Sequence, residues 1–118
     1  MPLTTEEKEL TSYIVDLMQS IGSVSAKAMF GGHGIFLKGL MFGLVADSVL
    51  YLKADEETEN EFKARGLEQF TYSKKGKEFK MSYYHAPEEA LEDSEVMKFW
   101  ASKAYNTALR AAFKKRKK

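Results

Sequence analysis

A chain of 118 residues that is 44% hydrophobic and 30% charged can build one core without staples and is too apolar for a disordered segment. It has no cysteine, which excludes disulfides, thiolate catalysis and cysteine-ligated metal sites and fits a reducing cytoplasm. The formal charge of +1 hides an asymmetry, because Lys114, Lys115, Arg116, Lys117 and Lys118 supply five positive charges and leave −4 on residues 1–113. The expectation is therefore a single mildly acidic domain over residues 1–113 followed by a basic tail at 114–118.

The N-terminal MPLTTEEKEL carries acids where a signal peptide needs bases and an apolar run. No stretch approaches the roughly 20 apolar residues of a membrane span, so the chain reads as cytoplasmic, with no membrane contact. Thr4 followed three residues later by Glu7 is a capping-box pattern and starts a helix. Leu10, Ile14, Leu17 and Ile21 then recur at helical spacing, with Met18 beside them and Gly22 as the stop.

From Val24 to Lys53 the period changes. Val24, Ala26 and Ala28 alternate with polar residues, and further apolar runs flank Lys38-Gly39 and Asp47-Ser48. Short apolar runs separated by two-residue turns make an antiparallel meander, with Met41–Ala46 central and Gly43 marking a bulge or a close crossing. Asp55 caps a short, mostly polar second helix on the rim of the sheet, anchored by Phe62 and Leu67 and closed by Gly66. Phe70 and Tyr72, then Lys74-Lys75-Gly76, then Phe79, Met81 and Tyr83 show period-two alternation and form a hairpin. After Pro87, Asp93 or Ser94 caps a last helix carrying Val96, Phe99, Trp100, Ala104, Ala108, Leu109 and Phe113. The fold class is α+β: a largely antiparallel sheet of about five to six strands covered by N- and C-terminal helices, with one short helix between the meander and the hairpin.

Several segments in order carry a family resemblance: Met29-Phe30-Gly31-Gly32 with Gly34-Ile35-Phe36, Leu50-Tyr51-Leu52-Lys53, Phe70-x-Tyr72, Gly76-Lys77, and Met81-Ser82-Tyr83-Tyr84 with Pro87-Glu88-Glu89-Ala90-Leu91. Over nearly its whole length the chain resembles the TfoX N-terminal domain of the TfoX/Sxy competence-regulator family. The resemblance implies an α+β sandwich of antiparallel sheet and helices. It also implies a role near the regulators that promote natural transformation with the cyclic-AMP receptor protein. Those regulators carry a second, helical C-terminal domain; this chain stops after its last helix and is similar to the stand-alone members. The family offers no catalytic residues to transfer.

Candidate sites are few. Gly31, Gly32 and Gly34 around His33 form a glycine loop without the Gly-Lys-Ser/Thr of a phosphate cradle, so they read as a tight turn with positive φ angles. His33 and His85 have no spacing that gathers a nucleophile, carboxylates or a metal around them, so no catalytic, cofactor or metal residue is assigned. Tyr72, Tyr83 and Tyr84 interleave with Lys74, Lys75, Lys77 and Lys80 in the manner of surfaces that stack single-stranded bases. Tyr83 shares an apolar face with Phe79 and Met81 and reads as core. That leaves Tyr84, Lys74, Lys75, Lys77 and Lys80, with Lys114, Lys115, Arg116, Lys117 and Lys118, as the candidate interaction surface. The function expected is a non-enzymatic regulatory or adaptor domain that binds a protein partner, a second copy of itself included. The alternative is an accessory DNA-binding module that uses the tail and the Lys74–Lys80 hairpin for weak, non-specific nucleic-acid contact.

Overall fold

A computed structural model of the chain describes residues 5–29 and 32–116. Helix α1 (Thr5–Met18) runs through a 3-10 turn (Gln19–Ile21) into a meander of β1 (Ser25–Met29), β2 (Gly32–Leu37), β3 (Leu40–Ala46) and β4 (Val49–Lys53). Helix α2 (Glu59–Ala64), the hairpin β5 (Gln69–Lys74) and β6 (Lys77–His85), a 3-10 turn (Glu88–Leu91) and helix α3 (Ser94–Arg116) follow. The strands form one six-stranded antiparallel sheet in the order β1-β2-β3-β4-β6-β5. This is the expected α+β architecture, with β3 and β4 central.

Three hairpin turns hold two residues each, and both residues have positive φ: Lys38-Gly39 at 52° and 80°, Asp47-Ser48 at 51° and 60°, and Lys75-Gly76 at 52° and 78°. That is the mirror-image turn whose twist matches right-handed strands. Along β2 and β3 the register passes from Ile35 opposite Gly43 to Phe36 opposite Met41, so Phe42 is the extra residue of a bulge beside Gly43. The bulge turns Phe42 into the core, where it is fully buried.

Helix α1 buries a different stripe from the one its leucines outline. Glu7, Thr11, Ile14 and Met18 lie inward, and Leu10, Leu17 and Ile21 are only partly buried against the core. The polar members are satisfied: the Glu7 carboxylate accepts the Ser48 N–H at 2.9 Å, and Thr11 donates to the Glu7 carbonyl at 2.9 Å. Helix α3 turns Met97, Ala101, Ala104 and Ala108 inward, and the three alanines let its backbone sit close to the sheet. Asp93 caps it, its Oδ1 accepting the Glu95 N–H at 2.8 Å. The expected capping residue of α1, Thr4, lies outside the described residues.

Two expectations need correction. Ala26 and Ala28 do not mark a buried face, because β1 is an edge strand and both are exposed. The second helix starts at Glu59 and does not merely rest on the rim: Phe62 is 1% exposed and joins the main core. Asp55 caps the turn that precedes α2. Its Oδ1 accepts the N–H groups of Glu57 and Thr58 at 3.0 and 3.2 Å, while Thr58 Oγ1 accepts the Asp55 N–H at 3.1 Å.

Asp55 also ties that turn to α3, accepting from Arg110 Nε at 3.1 Å and from its terminal nitrogen at 3.3 Å. Burial pushes the Asp55 carboxyl up, but the Arg110 hydrogen bonds and charge, with the Glu57 and Thr58 N–H groups, outweigh it and hold it below the usual carboxylate range. A depressed folded pKa means the stabilisation is present above the unfolded value and is lost as pH falls through the folded one. We expect Asp55→Ala to lose roughly 1–2 kcal/mol at neutral pH, mostly the cap with a discounted share for a half-exposed ion pair. The gap from the native protein should close below about pH 4 in urea titrations. A gap independent of pH would contradict this account.

Candidate functional site

Strand alternation and register sort the side chains of the sheet. Ile35, Leu37, Phe42, Val45, Leu50, Leu52 and Tyr84 share one core with residues of α1, α2 and α3. The helices therefore lie on one face of the sheet. The opposite face carries Phe36, Met41, Leu44, Tyr51, Lys53 and Tyr83, since Leu44 pairs with Tyr51 and Lys53 with Tyr83 across neighbouring strands.

On that uncovered face the rings form a continuous ladder. Tyr51 meets Phe70 at 4.9 Å between centroids, Phe70 meets Tyr72 at 6.4 Å, and Tyr72 meets its cross-strand partner Phe79 at 5.4 Å with the last two pairs tilted only 23°. Tyr72 and Phe79 remain 42% and 41% exposed. Burying these rings against one another stabilises the hairpin, while their outer surfaces stay open to a ligand. Toward the centre of the face Leu44 and Tyr83 are 2% and 5% exposed. Burial pushes the Tyr83 phenol up to about 12, so it stays neutral throughout the physiological range.

The charge on this face has one sign. Among its described strand residues the ionic side chains are Lys27, Lys53, Lys74 and Lys77. Lys74 and Lys77 pair with each other one step beyond Tyr72 and Phe79. The Lys53 ammonium stands 5.1 Å from the Tyr83 ring centroid, and burial lowers its pKa, a shift that the Asp55 charge opposes. At the far end of the ladder Asp47 and Glu68 border Tyr51; burial first, then these two charges, raise the Tyr51 pKa. The cationic end is thus the hairpin end.

The residues expected from the sequence divide. Lys74 and Lys77 lie on the uncovered face, Lys75 sits in the hairpin turn, and Lys80 pairs with Thr71 and points to the other side. Tyr84 is not an exposed contact residue. Its pairing with Leu52 turns it toward the helices, where it is 3% exposed, stacks on Phe62 at 5.4 Å and 23°, and donates to Glu59 at 3.3 Å. Lys114 is exposed on the last turn of α3, whose backbone continues through Lys115 and Arg116; Lys117 and Lys118 lie outside the described residues.

Gly32 and Gly34 belong to strand β2 and not to a turn, and neither has a positive φ; Gly31 lies outside the described residues. The histidines stand on opposite faces. His33 Nδ1 is 3.4 Å from Thr11 Oγ1 under α1, whereas His85 sits beside Tyr51, its Nδ1 2.7 Å from the Ala86 carbonyl oxygen. Sequence reasoning missed Tyr51, Lys53 and Phe70 as parts of a surface. The available signal was apolar character on both faces of β3 and β4, which requires either two covers or one open aromatic side.

Comparison with known proteins finds a matching family and curated relatives. The model of the TfoX N-terminal domain matches residues 16–108. The chain is 30% identical over 83 residues to the DNA transformation protein TfoX1 of Aliivibrio fischeri, a match covering 70% of this chain and 40% of that protein. It is 31% identical over 85 residues to the DNA transformation protein TfoX of Haemophilus influenzae, covering 71% of this chain and 39% of the relative. The matches span about two fifths of the length of these curated relatives.

Proposed function

The chain belongs to the TfoX N-terminal domain family, and from that premise we propose that it is a non-enzymatic regulatory domain that acts by binding, with the uncovered face of its sheet as the binding surface. The observation that carries this reading is the aromatic ladder from half-buried Tyr51 and Phe70 to exposed Tyr72 and Phe79, bounded by lysines at the hairpin end. Solvent-facing rings in a contiguous row cost solubility, and their retention points to a partner that covers them. The relatives are named for DNA transformation, so the process this domain regulates is genetic transformation or the expression of the genes behind it.

Protein docking, the partner class expected from the sequence, is favoured by one observation elsewhere on the molecule. On the outer side of α3, Phe99 and Leu109 remain 58% and 43% exposed. One experiment separates the surfaces: overproduction of the chain in its own cell, with transcripts counted. Native protein should change a defined set of transcripts, and Tyr72→Ser/Phe79→Ser should return them to the vector level while Phe99→Ser/Leu109→Ser keeps the response. If the α3 variant alone abolished the response, α3 would be the contact. An unchanged response in both variants would overturn the sheet face as the binding surface, and no response from native protein would overturn the regulatory reading.

A further inference from the structure

We propose that the uncovered face of the sheet binds single-stranded nucleic acid, with unpaired bases stacking on Tyr51, Phe70, Tyr72 and Phe79 and phosphates meeting Lys53, Lys74 and Lys77. This rests on the reading of that face as the binding surface and names its occupant.

Charge supplies the first argument. Residues 1–113 carry −4, so with the four lysines of this face set aside the remainder carries −8. Three of these lysines, Lys53, Lys74 and Lys77, adjoin the aromatic row, with Lys27 on the far edge strand, so a domain that is acidic elsewhere offers positive charge beside the rings, which favours a polyanion. A second copy packed hairpin against hairpin would set Lys74 and Lys77 against like charges.

Geometry supplies the second. Consecutive ring centroids 4.9, 6.4 and 5.4 Å apart form a contiguous aromatic row, its first pair edge-to-face at 63° and the other two near-parallel at 23°. Every base has a π face to offer such a row, but only when it is unpaired, whereas duplex DNA presents phosphates and groove edges to a flat sheet. The lysines adjoin the row at one end, at Lys74 and Lys77, and at its flank, where Lys53 stands over the Tyr83 ring. A strand lying along the ladder meets lysines at the hairpin end and the Asp47 and Glu68 charges at the Tyr51 end, so its phosphates are held at the hairpin.

The test is fluorescence anisotropy on the full chain with a labelled oligothymidylate of about 15 nucleotides, long enough for one small-domain site, against a duplex of equal length and against polyglutamate. The single strand should bind at least about tenfold tighter than the duplex and should compete over polyglutamate. Tyr72→Ser/Phe79→Ser should weaken it about tenfold or more with the salt dependence retained, since stacking and not charge has been removed. Lys74→Gln/Lys77→Gln should flatten the log–log salt slope by roughly 1.4, two contacts at about 0.7 each on a single strand. Thermal melts of both variants check folding: Lys74→Gln/Lys77→Gln, on an exposed hairpin, should melt like the native protein, while the serine variant, which loses a cross-strand ring pair, should melt lower but in the same cooperative transition. Absent binding, equal affinity for duplex, or full affinity in the serine variant overturns the proposal. Polyglutamate binding as tightly as the oligonucleotide also overturns it and hands the face to an acidic protein. In each case a transcript response lost in Tyr72→Ser/Phe79→Ser would leave the regulatory reading standing.

Discussion

Replacing Phe62 by alanine should cost the fold about 3–5 kcal/mol, the range for deleting a fully buried phenyl ring that leaves a cavity. Phe62 is the one buried residue of α2 and is 1% exposed. Its ring is clamped between Tyr84 of β6, at 5.4 Å and 23°, and Trp100 of α3, at 5.2 Å and 56°. One side chain thereby holds a short polar helix, the sheet and the longest helix together, and neither flanking ring can follow it without leaving its own strand or helix. In urea unfolding the midpoint should drop sharply with the m-value unchanged, and Phe62→Leu, which refills most of the volume, should recover more than half of the loss. A loss below about 1 kcal/mol, well under the range for a buried phenyl, would mean that the clamp closes up and that α2 is dispensable.

The clamp also marks what local sequence cannot convey. Within ENEFKA the phenylalanine announces an anchor, but nothing nearby says whether it reaches a rim or a core, because its partners lie 22 and 38 positions further along the chain. Helix and strand positions, by contrast, were legible because local forces fix them. Three two-residue turns are mirror-image turns, which glycine, aspartate and serine with a flanking lysine signalled, and Asp93 caps α3 as its side chain allows.

The candidate site was legible in its ingredients and misread in its orientation. Period-two alternation from Phe79 to Tyr83 shows that these residues share a face; it does not say on which side the helices pack. Grouping Tyr83 with Phe79 was correct and Tyr83 is buried as expected, but their face lies away from the helices, since the pairing of Leu52 with Tyr84 commits the other face to them. Tyr84 and Tyr83 are adjacent tyrosines of similar burial, 3% and 5% exposed, yet one closes the main core and the other floors an open aromatic surface. Composition cannot separate them, and the register of one strand pair can.

Two glycines of one motif should behave in opposite ways. A Cβ built on Gly32 would stand 2.2 Å from the Val45 carbonyl oxygen and 3.4 Å from the Ala46 Cα, both backbone atoms of the central strand β3. Backbone in the middle of a sheet cannot withdraw without breaking ladder hydrogen bonds, so Gly32→Ala should destabilise by about 3 kcal/mol, at the upper end of overpacking costs. A Cβ on Gly34 would meet the Met29 sulfur at 2.6 Å, the Phe36 ring at 2.9 Å and the Met41 sulfur at 3.3 Å. Those are ends of side chains on the uncovered face, two of them flexible thioethers that can swing toward solvent, so Gly34→Ala should cost less than about 1 kcal/mol. Since neither residue has a positive φ, the two substitutions are matched for backbone strain and differ in what the new methyl strikes. Urea midpoints of the pair decide the matter: equal losses would contradict the close-approach account, and a loss confined to Gly32→Ala would establish close approach of β2 to β3 as the reason the motif begins as it does.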